Sequence, residues 1–145
     1  MGEAADDISN LSDAGIRFLA QAFTKEDSLL EQLGSARPEE GSEHSSAYNV
    51  DYRTGRHFIH GERVGLGIAL FSQLLGNQPD FARSLRRRPG IRFIPGELGL
   101  SGTEVVEGLA TVPNYVRAER LPYSQTNRLD LGEAELENPV GLVGR

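Results

Sequence analysis

The sequence contains no cysteine, which excludes disulfide bridges and thiolate metal ligands and suits a reducing compartment. It lacks an apolar run long enough to span a membrane. Its first ten residues, MGEAADDISN, are acidic rather than the basic start of a secretory signal. Positive charge is also short: 15 Lys and Arg stand against 21 Asp and Glu, for a net charge of -6. A nucleic-acid or acidic-membrane surface is therefore not expected. The expectation is a soluble, cytoplasmic chain with no nucleic-acid and no membrane partner. One local exception, RSLRRRPGIR at 83–92, gathers five arginines. It reads as a solvated helix end or, alternatively, as a patch for an anionic ligand or partner.

Strand patterning is nearly absent, apart from a short piece around Ile91 to Ile94, and there is no internal repeat. Helical periodicity is present instead. At 145 residues and 38% hydrophobic content the chain fits one domain with a modest core. Residues 1–11 are polar and expected to fray. In LSDAGIRFLAQAFTKEDSLLEQLG, Ser12 is placed as an N-cap, Ile16, Leu19 and Phe23 recur at three and four, and Gly34 sits at the expected stop. Glu26 and Asp27 leave open whether this is one helix or two. SARPEEGSE is a loop, and a short helix is expected from Glu43 to about Thr54, closed by Gly55.

HFIHGERVGLGIALFSQLLG is apolar nearly all round and reads as a buried central helix. Its glycines Gly61, Gly65 and Gly67 each cost roughly 1 kcal/mol of helix propensity relative to alanine. They point to a second backbone, or a ligand, coming close. QPDFARSLRRRPG predicts a helix stopped by Pro89 and Gly90. SGTEVVEGLATVPNYV has Ser101 and Glu104 at capping-box spacing and predicts a helix ending before Pro113. The expected fold class is an all-α helical bundle over residues 12–131, with a loosely ordered tail at 132–145.

All three histidines fall within EEGSEHSSAYNVDYRTGRHFIHGERVGLG, residues 39–67. His44 stands on the first turn of one predicted helix and His60 on the first turn of the next. Imidazole suits zinc, nickel and iron, and a catalytic site adds a third ligand, usually a carboxylate, while keeping a position open. Glu43 and Glu62 are near in sequence, but neither is placed as that third ligand. His57 belongs to the intervening loop. Histidines that merely cap helices or sit on the surface remain the alternative reading of the spacing.

RPEEGSEHSSAY followed by HGERVGLG resembles the paired signature of the metal-dependent polyol dehydrogenase and dehydroquinate synthase-like superfamily, which includes iron-containing alcohol dehydrogenases. Within it, the chain looks most like the glycerol-1-phosphate dehydrogenases of phospholipid metabolism. IPGELGLSGTEVVEGLATVPNYVRAERLPYSQTN is similar to the late helix and arginine-containing close of that family. The resemblance covers roughly Ser12 to Asn127 and is confined to the C-terminal helical domain; the family's N-terminal nucleotide-binding domain has no counterpart here.

The resemblance implies that His44 and His60 are metal ligands, for Zn2+ or else Ni2+ or Fe2+, and it offers Arg117 or Arg120 to a substrate phosphate, with a salt bridge tying the last helix to the core as the alternative role of these arginines. It implies NAD(P), an oxidoreductase cofactor, only where a nucleotide-binding domain is supplied in cis or in trans. The metal would polarise the ketone of dihydroxyacetone phosphate for hydride transfer. Two features depart from the family. Its acidic third ligand lies upstream of the matching segment, and its histidine four residues after the first ligand is Tyr48 here. Tyr48 is the catalytic candidate, as a hydrogen-bond donor that titrates too high for ready acid–base exchange at neutral pH.

The sequence therefore predicts the metal- and substrate-binding domain of a glycerol-1-phosphate dehydrogenase-like enzyme, inactive alone and acting on a small phosphorylated polyol or ketone. A non-catalytic binding or assembly module is the alternative, and a dehydroquinate synthase-like cyclase domain the second. An apolar face left uncovered by the missing half predicts a homo-oligomer.

Overall fold

The computed structural model describes residues 4–37, 39–85 and 92–130, with residues 83 and 85 described by backbone alone. Among these residues the fold is all helical: α1 (Ala5–Ser9), α2 (Asp13–Leu33), α3 (Ser42–Thr54), α4 (His60–Leu74), α5 (Pro79–Leu85) and α6 (Gly102–Ala118). Two 3-10 turns, Pro95–Leu98 and Gln125–Arg128, flank α6. The all-α expectation holds. No described helix is long and apolar enough to cross a membrane. The arginine run at 86–88, its Pro89–Gly90 stop, Ile91 and the tail from 132 lie outside the described residues.

Local signals explain most boundaries. Ser12 Oγ accepts from Gly15 N–H at 3.1 Å and opens α2, and Gly34, at φ +63°, closes it. Glu26 and Asp27 do not break α2, which runs as one helix of 21 residues. Both are compatible with an exposed helical turn, and a glycine or proline would be needed to interrupt it. Within the segment read as frayed lies the short α1, packed so closely on α2 that a Cβ at Gly15 would stand 2.3 Å from the Asp7 carbonyl oxygen.

Ser101 and Glu104 form the expected capping box at the start of α6. The expected stop before Pro113 is overturned: α6 continues to Ala118 with Pro113 inside it. A proline in a helix interior costs about 3 kcal/mol. Val112 and Val116, on either side of it, are almost fully buried, and such burial contributes roughly 1.5–3 kcal/mol per side chain. The buried stripe carries the helix past the break.

The core lies between α3, α4 and α6. Leu66, Leu70 and Phe71 from α4 meet Val105 and Leu109 from α6, with Val50, Phe93, Leu98 and Leu100 around them. Helix α3 enters by being narrow rather than greasy. Its buried residues are Ser42, Ser45, Ser46, Ala47, Asn49 and Val50. Asn49, 1% exposed, donates to the Gly108 carbonyl at 2.7 Å and to Thr111 Oγ1 at 3.0 Å, tying α3 to α6. Arg53 pairs with Glu107 at 2.5 Å. The pairs 49–111 and 53–107 run in opposite senses, so α3 and α6 are antiparallel.

Candidate metal centre

His44 sits on the first turn of α3 and His60 is the first residue of α4. Their ring centroids are 5.2 Å apart with planes tilted by 46°. The crossing of the two helices makes this approach possible. A Cβ at Gly67 would stand 2.7 Å from the Glu43 carbonyl oxygen and 2.8 Å from its Cα, a contact that only glycine permits. Lower in the same crossing, Arg63 is buried beneath α3, donating to the Ala47 carbonyl at 3.2 Å and forming an ion pair with Asp51. A buried arginine must be paired to be tolerated, and this pair fixes α4 against α3 close to His60.

Tyr48 completes a cluster of three rings, its centroid 6.1 Å from that of His44 and 6.2 Å from that of His60. Its hydroxyl donates to Glu40 Oε1 at 3.2 Å. Burial, with the Glu40 carboxylate next in size, pushes the Tyr48 phenol above its ordinary range. The ring therefore stays protonated and serves as a donor at neutral pH.

Glu43, which spacing alone sets aside as a ligand, is in contact with the site. Its Oε1 lies 3.2 Å from His44 Nδ1 and accepts from Gly41 N–H at 3.0 Å. Sequence spacing gave no signal of this, because adjacent helical residues ordinarily point apart. Glu62 is turned away to Arg92, at 2.7 Å from its Nε. His57 is exposed in the loop between α3 and α4. Gly61 has open space where a Cβ would stand, beside His60.

Arg117 and Arg120 are exposed at the end of α6. Because α6 runs antiparallel to α3, this is the end at which α3 begins. Arg117 donates to Asn114 Oδ1 at 2.7 Å, within its own helix. Arg120 adopts a left-handed backbone at φ 54°, in the turn that ends the helix. No ion pair ties either to the core among the described residues.

Two imidazoles at this separation suit a borderline divalent metal as part of its shell. Among the described residues, however, no group of three or more His, Cys, Asp or Glu side chains converges to hold an ion. Among the described residues the two imidazoles stand without a third donor.

An all-helical domain presenting a histidine pair across a glycine-mediated helix crossing is the class that the geometry defines. By sequence, the chain is a relative of the glycerol-1-phosphate dehydrogenases. It is 34% identical over 106 residues to the glycerol-1-phosphate dehydrogenase [NAD(P)+] of Saccharolobus solfataricus, a match covering 73% of this chain and 30% of that protein. The protein of the same name from Hyperthermus butylicus is 31% identical over 143 residues, covering 98% of this chain and 41% of the relative. That of Methanobrevibacter smithii is 29% identical over 139 residues, covering 95% and 40%. The chain thus spans 30–41% of the length of these relatives. No family model matches it, and no solved structure matches it significantly.

Proposed function

We propose that this chain is the metal- and substrate-binding domain of a glycerol-1-phosphate dehydrogenase-like NAD(P)-dependent oxidoreductase, inactive without a nucleotide-binding domain in cis or in trans. The observation that carries the reading is the approach of the His44 and His60 rings to 5.2 Å in the segments that resemble the family signature. In this reading His44 and His60 are two ligands of a zinc, nickel or iron ion, and the rest of the shell comes from outside the described residues. A bound metal of this kind supplies Lewis acidity toward a ketone oxygen.

The chain's own residues bind and orient. Tyr48, kept protonated by its surroundings, offers a hydrogen-bond donor beside the imidazole pair. The open space at Gly61 lets a bulky ligand approach the start of α4. Arg117 and Arg120 are two cations at the end of the bundle where α3 begins, available to a phosphorylated ketone or polyol. The exposed apolar stripe of α2 is the surface through which the chain meets a second copy or its nucleotide-binding partner.

Metal content of the purified chain tests the reading. Zinc or nickel retained through gel filtration at close to one per chain, and lost in both His44→Ala and His60→Ala, is the expected result. No metal after incubation with zinc would favour the second reading, a non-catalytic binding or assembly module. The absence of a third ligand among the described residues favours that reading.

A further inference from the structure

The surroundings of His44 determine which of its ring nitrogens is free. Glu43 Oε1 stands 3.2 Å from His44 Nδ1, an approach that is a hydrogen bond to the carboxylate when Nδ1 carries the proton. The neutral ring then carries its lone pair on Nε2. Glu43 is itself held from two sides. Its carboxylate accepts Gly41 N–H at 3.0 Å, which anchors it to the loop leading into α3. Its backbone is pressed by Gly67, where even a Cβ would lie 2.7 Å from the Glu43 carbonyl oxygen. Gly67 lies two turns along the helix that begins with His60. Glu43 is therefore clamped between the entry loop of one histidine's helix and the body of the other's.

The Glu43 side chain is 24% exposed and the His44 side chain 12% exposed, so the contact is partly shielded from solvent. A glutamate serving only as a favourable charge in the first turn of α3 would need neither the contact with Nδ1 nor the clamp.

We propose that Glu43 is a positioning residue that holds His44 in the Nδ1–H tautomer and leaves Nε2 as its free nitrogen, on a ring whose centroid lies 5.2 Å from that of His60. The consequence for metal binding rests on the reading given under Proposed function; the tautomer does not. Carboxylates that hold ligating histidines in this way typically change metal affinity 10- to 100-fold when removed.

The experiment uses the whole chain with 15N-labelled histidine. Long-range 1H–15N correlation is recorded without metal, at a pH above the histidine range. Zinc affinity is measured separately by competition with a chromophoric chelator. In the wild type, His44 is expected to show a protonated Nδ1 and a free Nε2. Glu43→Ala is expected to release the ring toward the Nε2–H form and to weaken zinc binding about 10- to 100-fold. Glu43→Gln, which keeps an acceptor in place, is expected to restore much of the Nδ1–H population.

A wild-type His44 with Nε2 protonated would overturn the proposal outright, and needs no variant to fold. An unchanged tautomer in a folded Glu43→Ala would overturn it as well, and so, where the wild type binds zinc, would an unchanged zinc affinity. A wild type that binds no zinc but shows the Nδ1–H tautomer, lost in Glu43→Ala, would contradict the metal-site reading and support the hold of Glu43 on the ring.

Discussion

Helices α2 and α3 invert the usual relation between composition and burial. Helix α2 carries the clearer apolar stripe, yet Ile16 is 53% exposed, Phe23 62% and Leu33 62%. Helix α3 is rich in serine and carries little apolar surface, yet its Ser45, Ser46, Ala47 and Asn49 are at most 5% exposed. The difference lies in what each helix is for. Small side chains let α3 lie close against α4 and α6, and that closeness brings His44 to His60. Helix α2 packs principally on the five-residue α1, and its stripe faces outward, as expected of a surface that meets a partner. The body formed by α3, α4 and α6 thus buries its apolar surface internally, and α2 does not.

Substitutions at the two kinds of packing should separate these regions, and the largest effect is expected at Gly67. Gly67→Val must displace the backbone of Glu43, so urea unfolding should show a loss of roughly 2–3 kcal/mol, together with loss of zinc binding. Gly61→Ala, with open space at the same helix start, should be neutral or gain up to about 1 kcal/mol. Equal effects at the two glycines would break the assignment of Gly67 as the crossing point.

Next in size is Asn49→Ala, which removes both bonds from α3 to α6 and leaves the Thr111 hydroxyl and Gly108 carbonyl without that partner. A cost of about 1–3 kcal/mol is expected in the same measurement. Phe23→Ser should do the reverse of a core substitution. The stability of the body should stay within about 0.5 kcal/mol, while self-association in sedimentation velocity should fall. A wild-type chain that is monomeric and monodisperse would contradict the reading of α2 as a surface that meets a second copy.

The smallest effect concerns the capping box. Hydrogen bonds from the Ser101 backbone and side chain, with Arg56 adding to them, hold the Glu104 carboxyl below its usual range. A depressed folded-state value stabilises the fold above the ordinary carboxylate pKa, and that contribution disappears as pH falls through the folded value. The stability difference between wild type and Glu104→Gln should therefore be present at neutral pH and shrink on acidification. A difference constant from pH 7 to pH 3 would show that the charge of Glu104 contributes nothing.

Much of this was legible in the residues. The caps at Ser12, Gly34, Gly55 and Ser101 and the buried α4 follow from spacing and turn chemistry, whereas the pairing of His44 with His60 comes from the family resemblance, since spacing alone leaves surface histidines open. Pro113 misleads, because propensity is local and the burial of Val112 and Val116 that overrides it is tertiary. Tyr48 and Glu40 lie eight residues apart across a loop and a helix start, so no periodicity connects them. The contact of Glu43 with His44 is likewise invisible to spacing, since it depends on where Gly67 and Gly41 hold the glutamate. Neither the residue pattern nor the described structure offers a third donor beside the two imidazoles.

X-ray absorption of the zinc-loaded chain tests the central claim most directly. The account predicts two imidazole nitrogens at about 2.0–2.1 Å, with oxygen donors completing the shell and one imidazole lost in each of His44→Ala and His60→Ala. A shell of oxygens alone, or one unaltered by either substitution, would contradict the assignment of these two residues as the metal-binding pair.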